Sequence, residues 1–191
     1  MSEKKSKPGI ASLIGRPLLA GAVAAGAALP TTAGADIFLD LEGIDGESQD
    51  SKHKNEIDIL SYTQSFRRAA STGAGGQTGG KVNIGDITVL KNIDKSSPKL
   101  IEAVATGKHI PKATITFRSV GEKAPEYYVV TLTDVLITAV DQTDQPDPAK
   151  IVERVQLNAT KFEYEYREQK ADGSLGAPIK FGYDIKANQK F

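Results

Sequence analysis

Beyond Asp36 the chain repeatedly alternates apolar and polar residues, and a period of two commits it to β-strands. The run DIFLDLEG sets Ile37, Leu39 and Leu41 against Asp36, Asp40 and Glu42 before Gly43 closes it. ATITFRSV repeats the pattern, with Ala113, Ile115 and Phe117 opposite Thr114, Thr116 and Arg118. Two longer runs change phase partway. Val82 and Ile84 give way after Gly85 to Ile87 and Val89, and the series Val155, Leu157, Ala159 gives way to Phe162, Tyr164, Tyr166. A change of phase needs a bulge or kink, expected at Gly85 in the first case. Long bent strands of this kind suit a curved or closed sheet. EYYVVTLTDVLITAV is apolar on both faces toward its end, as in a strand whose outer side is covered by a helix or another subunit. One helix is available. KSSPKLIEAVATGK offers Ser97 as N-cap, Pro98 at the first helical position, Leu100, Ile101 and Val104 on one stripe, and Gly107 as the stop. Turn residues at Gly43 to Gly46, Gly121, Asp144 to Pro148 and Asp172-Gly173 separate the other runs. The expected architecture is all-β, a barrel or sandwich with one flanking α-helix.

The most suggestive short motif fails on its chemistry. GAGGQTGGKV places Gly75, Gly80 and Lys81 at the spacing of a phosphate-binding loop, but the next position, which should hold a Mg²⁺-binding hydroxyl, is Val82. The run that follows reads as a strand where a helix is required. The stretch from Ser71 to Gly80 is therefore expected to be a long glycine-rich loop. The two histidines are no more promising: His53 and His109 stand alone in polar, turn-like contexts and read as solvated loop residues. The acidic run DGESQDSKHKNEIDI lacks the glycine at position six of a calcium loop, where Asp50 stands instead, and reads as an ordinary solvated loop. Glu56/Asp58 and Glu163/Glu165 lie at strand spacing and suggest exposed charged faces in place of an acid–base pair. No G-x-S-x-G or H-E-x-x-H occurs, and the chain contains no cysteine. No enzyme activity, cofactor or metal is indicated. With 24 basic against 24 acidic residues the formal charge is zero, so no general attraction to nucleic acid or to an anionic membrane is expected.

Residues 1–35 differ in kind from 36–191. Lys4, Lys5 and Lys7 precede an apolar run from Leu18 to Leu29 and a small-residue ending at Ala33-Gly34-Ala35, the order of a secretory signal. The run is too short to span a bilayer, which takes about 20 residues. A flexible Ala/Gly-rich extension and a start assigned too early are the other readings, and the signal reading leaves a route to the periplasm open.

Several segments taken in order, FLDLEGIDGES, HKNEIDILSYT, GKVNIGDITVLKNIDKSSPKL, ATGKHIPKATITFR and EYREQKADGS followed by PIKFGYDI, resemble the haemolysin-coregulated protein family, Hcp, of type VI secretion. The likeness runs from Asp36 nearly to the C-terminus. It implies a β-barrel flanked by a helix, six copies closed into a ring, and rings stacked into a hollow tube. The implied partners are further copies of the chain, a contractile sheath, a tip spike protein, and small effector proteins carried in the lumen. The implied route is secretion by this system after cytoplasmic assembly. In the resembling family the segment before GKVN reaches toward a neighbouring ring, which marks Gly73, Gly75, Gly76, Gly79 and Gly80 as a ring-stacking loop. By position in EIDILSYT, Thr63 would face the lumen and its effectors, although the local sequence departs from the Trp-rich version of that family. The alternative is an exported monomeric barrel that binds a small molecule or peptide. Against it, the inward positions legible from the alternation are aliphatic, with no grouped aromatics to line a cavity.

Overall fold

A computed structural model describes residues 35–73, 76–119, 124–144 and 151–191, apart from the side chains of 70–79, 81 and 144. The first 34 residues, with the signal-like features read there, lie outside the described residues, as do Gly75, Gly121 and the 145–148 turn.

Among the described residues, ten strands and one helix follow one another in the order β1 (Asp36–Leu41), β2 (Ile57–Thr63), β3 (Phe66–Gly73), β4 (Gly76–Ile84), β5 (Ile87–Asn92), α1 (Ser97–Thr106), β6 (His109–Arg118), β7 (Glu126–Asp144), β8 (Ile151–Gln169), β9 (Leu175–Asp184) and β10 (Gln189–Lys190). All pairings are antiparallel. The sheet runs β8-β5-β2-β1-β6-β7, and β7 pairs back onto β8 to close a six-stranded barrel. The expected alternation holds: Leu39, Leu41, Ala113, Ile115, Val155 and Leu157 all point into the buried core. Closure leaves these strands no free edge, and each fully buried aliphatic side chain contributes about 1.5–3 kcal/mol.

The phase change in β8 has a structural purpose. Residues Val152–Leu157 lie between β5 and β7, inside the barrel wall, whereas Lys161–Tyr166 lie between β7 and β9. Its partner β7 changes phase at the same level, from Val130 and Leu132 to Val135 and Ile137, across Asp134, which takes φ 55°. The second half of β8, with β9 and β10, thus leaves the barrel as a flap that extends its wall past its mouth, while the first half of β7 stays paired to β6 in the barrel.

The phase change at Gly85 is resolved differently from expectation. Instead of one bent strand, two strands meet there: β4 belongs to a separate two-stranded ribbon with β3, and β5 to the barrel. Gly85 donates its N–H to the Ser65 carbonyl at 2.9 Å, and a Cβ at this residue would stand 2.6 Å from Ser65 Oγ. A side chain here would have to push the Ser65 hydroxyl aside, so the pinch where the ribbon leaves the barrel favours glycine.

The helix packs against β7, supplying the expected cover through buried Leu100 and Ala103. It stops as expected at Gly107, in a left-handed conformation with φ 64°. Its start is one residue earlier in register than the sequence suggests: Ser96 is the N-cap and Ser97 the first helical residue. The Ser97 hydroxyl is taken up by a buried ion pair, so it does not cap the helix.

Candidate assembly surfaces

The glycine-rich stretch is a ribbon, not a loop. β3 and β4 pair from Phe66 opposite Ile84 out to Gly73 opposite Gly76, with an irregularity between Arg68 and Ala70. Of the predicted stacking residues, Gly73 and Gly76 form the outermost pair, Gly79 faces Ala70, and Gly80 follows it in β4. Alternation was too weak here to reveal strands, because Ala, Gly, Ser and Thr carry little hydrophobic signal. Pairing within the hairpin satisfies the backbone instead. Thr63 closes β2, opposite Thr88 of β5, and is exposed. The structure therefore separates it from the ribbon tip by the whole length of β3.

At the ribbon's base the sequence reading missed a cluster. Phe66 of β3 meets Phe162 and Tyr164 of β8 edge-on, at ring-centroid distances of 5.7 and 5.8 Å. Tyr128 of β7 stacks on Tyr164 at 5.9 Å. Phe66, Tyr128, Tyr164 and Phe181 together line an open pocket of about 240 Å³, which corrects the expectation that no aromatics group on the inward-pointing side. The signal was present in the parity of Phe162, Tyr164 and Tyr166, but finding it required β9 to be placed alongside. Gln64 ties the cluster together, its Oε1 accepting from the hydroxyls of Tyr62 (2.8 Å) and Tyr164. Burial pushes both phenols well above their usual range, so they remain donors at any physiological pH.

The segment from Asp45 to Glu56 also departs from expectation, because it is packed onto the barrel's outer side. Gly46 lies so close to β2 that a Cβ would stand 2.4 Å from the Glu56 carbonyl oxygen. His53, read as a solvated residue, is buried, with its ring stacked on Phe38 at 4.2 Å and Nδ1 3.0 Å from Glu56 Oε1. Burial pushes the Glu56 carboxyl up, against the opposing pull of His53. Arg118, also buried, sits over the Phe38 ring and reaches Asp50 at 2.7 Å and Asp36 at 3.1 Å. The hydrogen bond from Arg118 holds the Asp50 carboxyl far below the usual carboxylate range. His109 does fit its expectation, exposed and 2.6 Å from Asp134. Among the described residues no group of His, Cys, Asp and Glu is arranged to hold a metal.

A second ionic group joins helix to barrel. Lys91 Nζ lies 2.8 Å from Glu153 Oε2 and 2.9 Å from Asp94 Oδ1, and donates to the Ser97 hydroxyl at 3.1 Å. Ser97 Oγ and Gln142 Nε2 donate to Glu153 at 2.6 and 2.7 Å. Burial alone would push the Glu153 carboxyl up, but the bonds from Lys91, Ser97 and Gln142 together outweigh it and hold it low. With every partner in place this is a structural clamp. It leaves no free acid or base for catalysis.

The two faces of the flap differ sharply. Tyr164 faces Phe181 and Tyr166 faces Ile179 on one side of the β8–β9 pair. On the other, Lys180 reaches Glu165 at 2.8 Å and Glu163 at 3.5 Å, and Arg167 reaches Glu165 at 2.6 Å. The carboxylate pair is therefore an ion-paired outer face, as its spacing suggested.

Comparison with known proteins places this geometry. Residues 38–166 match the family described as "Type VI secretion system effector, Hcp". Protein hcp1 of Pseudomonas aeruginosa is 38% identical over 156 residues, covering 80% of this chain and 96% of its relative. The crystal structure of Hcp1 from Salmonella typhimurium superimposes with a TM-score of 0.70 at 36% identity, over 83% of this chain and 99% of that one. A type VI secretion system effector from Yersinia pestis aligns at 0.64 with 30% identity, over 78% and 99%. Hcp proteins are secreted and structural, without enzymatic activity, and assemble from hexameric rings. No helix among the described residues is long and apolar enough to cross a membrane. The chain belongs to the Hcp family, the self-assembling tube proteins of type VI secretion.

Proposed function

We propose that six copies of residues 36–191 close into a ring, that rings stack into a tube driven outward by a contractile sheath behind a tip spike protein, and that the lumen carries small effector proteins. Residues 1–35 stand ahead of this tube domain as an extension. The observation that carries the reading is the division of labour along the chain. A closed barrel completes its own core, while a glycine-rich ribbon projects from it and contributes only its base to that core. The outer part of the ribbon, from Ala69 to Gly80, is mostly Gly, Ala, Ser and Thr, and suits contact with a neighbouring ring, where a backbone rich in glycine can settle against a second surface. Gly73, Gly75, Gly76, Gly79 and Gly80 are assigned to that stacking contact, and exposed Thr63 to the lumen wall.

Native mass and electron microscopy of the purified full-length chain test the reading. Rings of six that lengthen into stacks support it. Gly79→Glu is expected to leave rings intact and stop them stacking, and Thr63→Arg to leave rings and stacks intact but reduce small proteins co-eluting from a secreting cell. A chain that is monomeric at every concentration would overturn the proposal.

A further inference from the structure

We propose that the aromatic face of the flap is the surface by which one copy grips the next within the ring; the inference rests on the ring reading above. Ile179 is 68% exposed, Phe181 and Phe66 each 50%, and Tyr166 41%. Tyr164/Phe181 and Tyr166/Ile179 are directly opposed pairs, which puts these side chains on the face that, nearer the barrel, carries the buried Leu132 and Phe162. The face is thus a continuation of the core beyond the point where the barrel can cover it. With aromatic side chains of roughly 150–250 Å² each, the four exposed residues present on the order of 400 Å² of apolar surface to solvent. That is about half of what each partner gives to a stable protein contact, and as large as the largest apolar patches of soluble monomers.

Three observations select a second copy as the occupant. The opposite face of the same strands is already satisfied by Lys180, Glu163, Glu165 and Arg167, so the flap is two-sided, with its apolar side lacking cover. Phe66, Tyr128, Tyr164 and Phe181 line an open pocket and Tyr166 and Ile179 continue the same face, the composition of an interface core with room for one inserted side chain. A head-to-tail ring also needs a different second surface on the same chain. Exposed Ile93 and Ile151, joined by a backbone hydrogen bond, lie at the end of β8 opposite the flap. The contact is made through the face and not by adding a strand. Along its free edge β9 carries Pro178, which has no N–H to give a ladder, and β10 pairs only with Tyr183 and Asp184.

Sedimentation of the full-length chain carrying Ile179→Lys, and separately Tyr166→Lys, tests the assignment beside wild type and Lys180→Ala. Because both lysines enter at exposed positions, circular dichroism should match wild type. Ring assembly should weaken at least tenfold in each, while Lys180→Ala, on the charged face, keeps the wild-type mass. Wild-type rings with equally stable rings in both lysine variants would overturn the inference and leave the ring reading standing. So would rings that persist while effector capture is lost, since the face would then belong to cargo. A monomeric wild type would instead remove the ring reading itself.

Discussion

The two halves of β8 share one strand and one side of one sheet, yet only the first is finished by its own chain. Val155 and Leu157 point into a closed barrel and are fully buried, whereas Tyr164 is half-covered and Tyr166 exposed on the continuation of that same side. The difference comes from what lies opposite. In the barrel, five other strands curve round to face β8; in the flap, the ribbon's Phe66 is the principal residue reaching over. The barrel half therefore governs whether the subunit folds, and the flap half what the folded subunit can meet.

Substitutions in the barrel should have the largest effect on stability. Lys91→Ala leaves the Glu153 carboxylate buried without its cation and is expected to cost about 3–5 kcal/mol in urea unfolding. Lys91→Met combined with Glu153→Leu should recover most of that loss, because neither charge is then stranded. Leu157→Ala opens a cavity in the barrel and should cost about 3 kcal/mol. Its flap counterpart Tyr166→Ala should cost under about 1 kcal/mol, since little is buried there to lose. Equal costs at Leu157 and Tyr166 would erase the distinction between the halves.

Next in size is the strap over the barrel's outer side. Asp50→Asn removes one of the two anions of buried Arg118 and is expected to cost about 2 kcal/mol. The pH dependence has a definite sign. Arg118 depresses the Asp50 carboxyl in the folded state, so its stabilisation is complete above the unfolded value near 4 and is lost as pH falls through the lower folded value. Wild type should lose stability on acidification below about pH 4, and the Asn variant should show a shallower decline. Urea midpoints across that range decide it, and parallel curves for the two proteins would remove the strap from the account.

How far the sequence was legible follows the same division. Wherever alternation was strong, as in Ile37 to Leu41 or Ala113 to Phe117, strand, phase and inward face were all readable, because a core on one side imposes a period of two; the burial of Phe38, Thr116 and Arg118 on the other side was not. The phase change in β8 was readable as a kink, but its purpose was not, since that depends on β9 replacing β5 as neighbour. The ribbon was hidden for the opposite reason: a strand pair with no core to face needs no apolar pattern. His53 was misread because its partners, Phe38 and Glu126, are remote in sequence and meet it only once the barrel has closed. The aromatic pocket likewise draws one residue from each of four strands, and only Tyr164, in the Phe162–Tyr166 series, lay in a run whose face had been read.

The smallest effect is expected on the charged side of the flap, and there the comparison can be sharpened most. Lys180 is flanked by Glu163 and Glu165, and Arg167 offers Glu165 a second cation at 2.6 Å. Lys180, Arg167 and Glu163 are open to water and Glu165 partly so, and pairs of this kind gain little from meeting because the charges gain hydration on separating. Lys180→Ala should therefore leave the urea midpoint unchanged in dilute buffer and also in about 1 M salt, where the Debye length shrinks to about 3 Å. A fall in dilute buffer that disappears at high salt would mean that ion pairing holds the flap's strands together. The aromatic side would then be free to open and close with ionic strength, and the flap would be a moving part instead of a fixed continuation of the barrel wall.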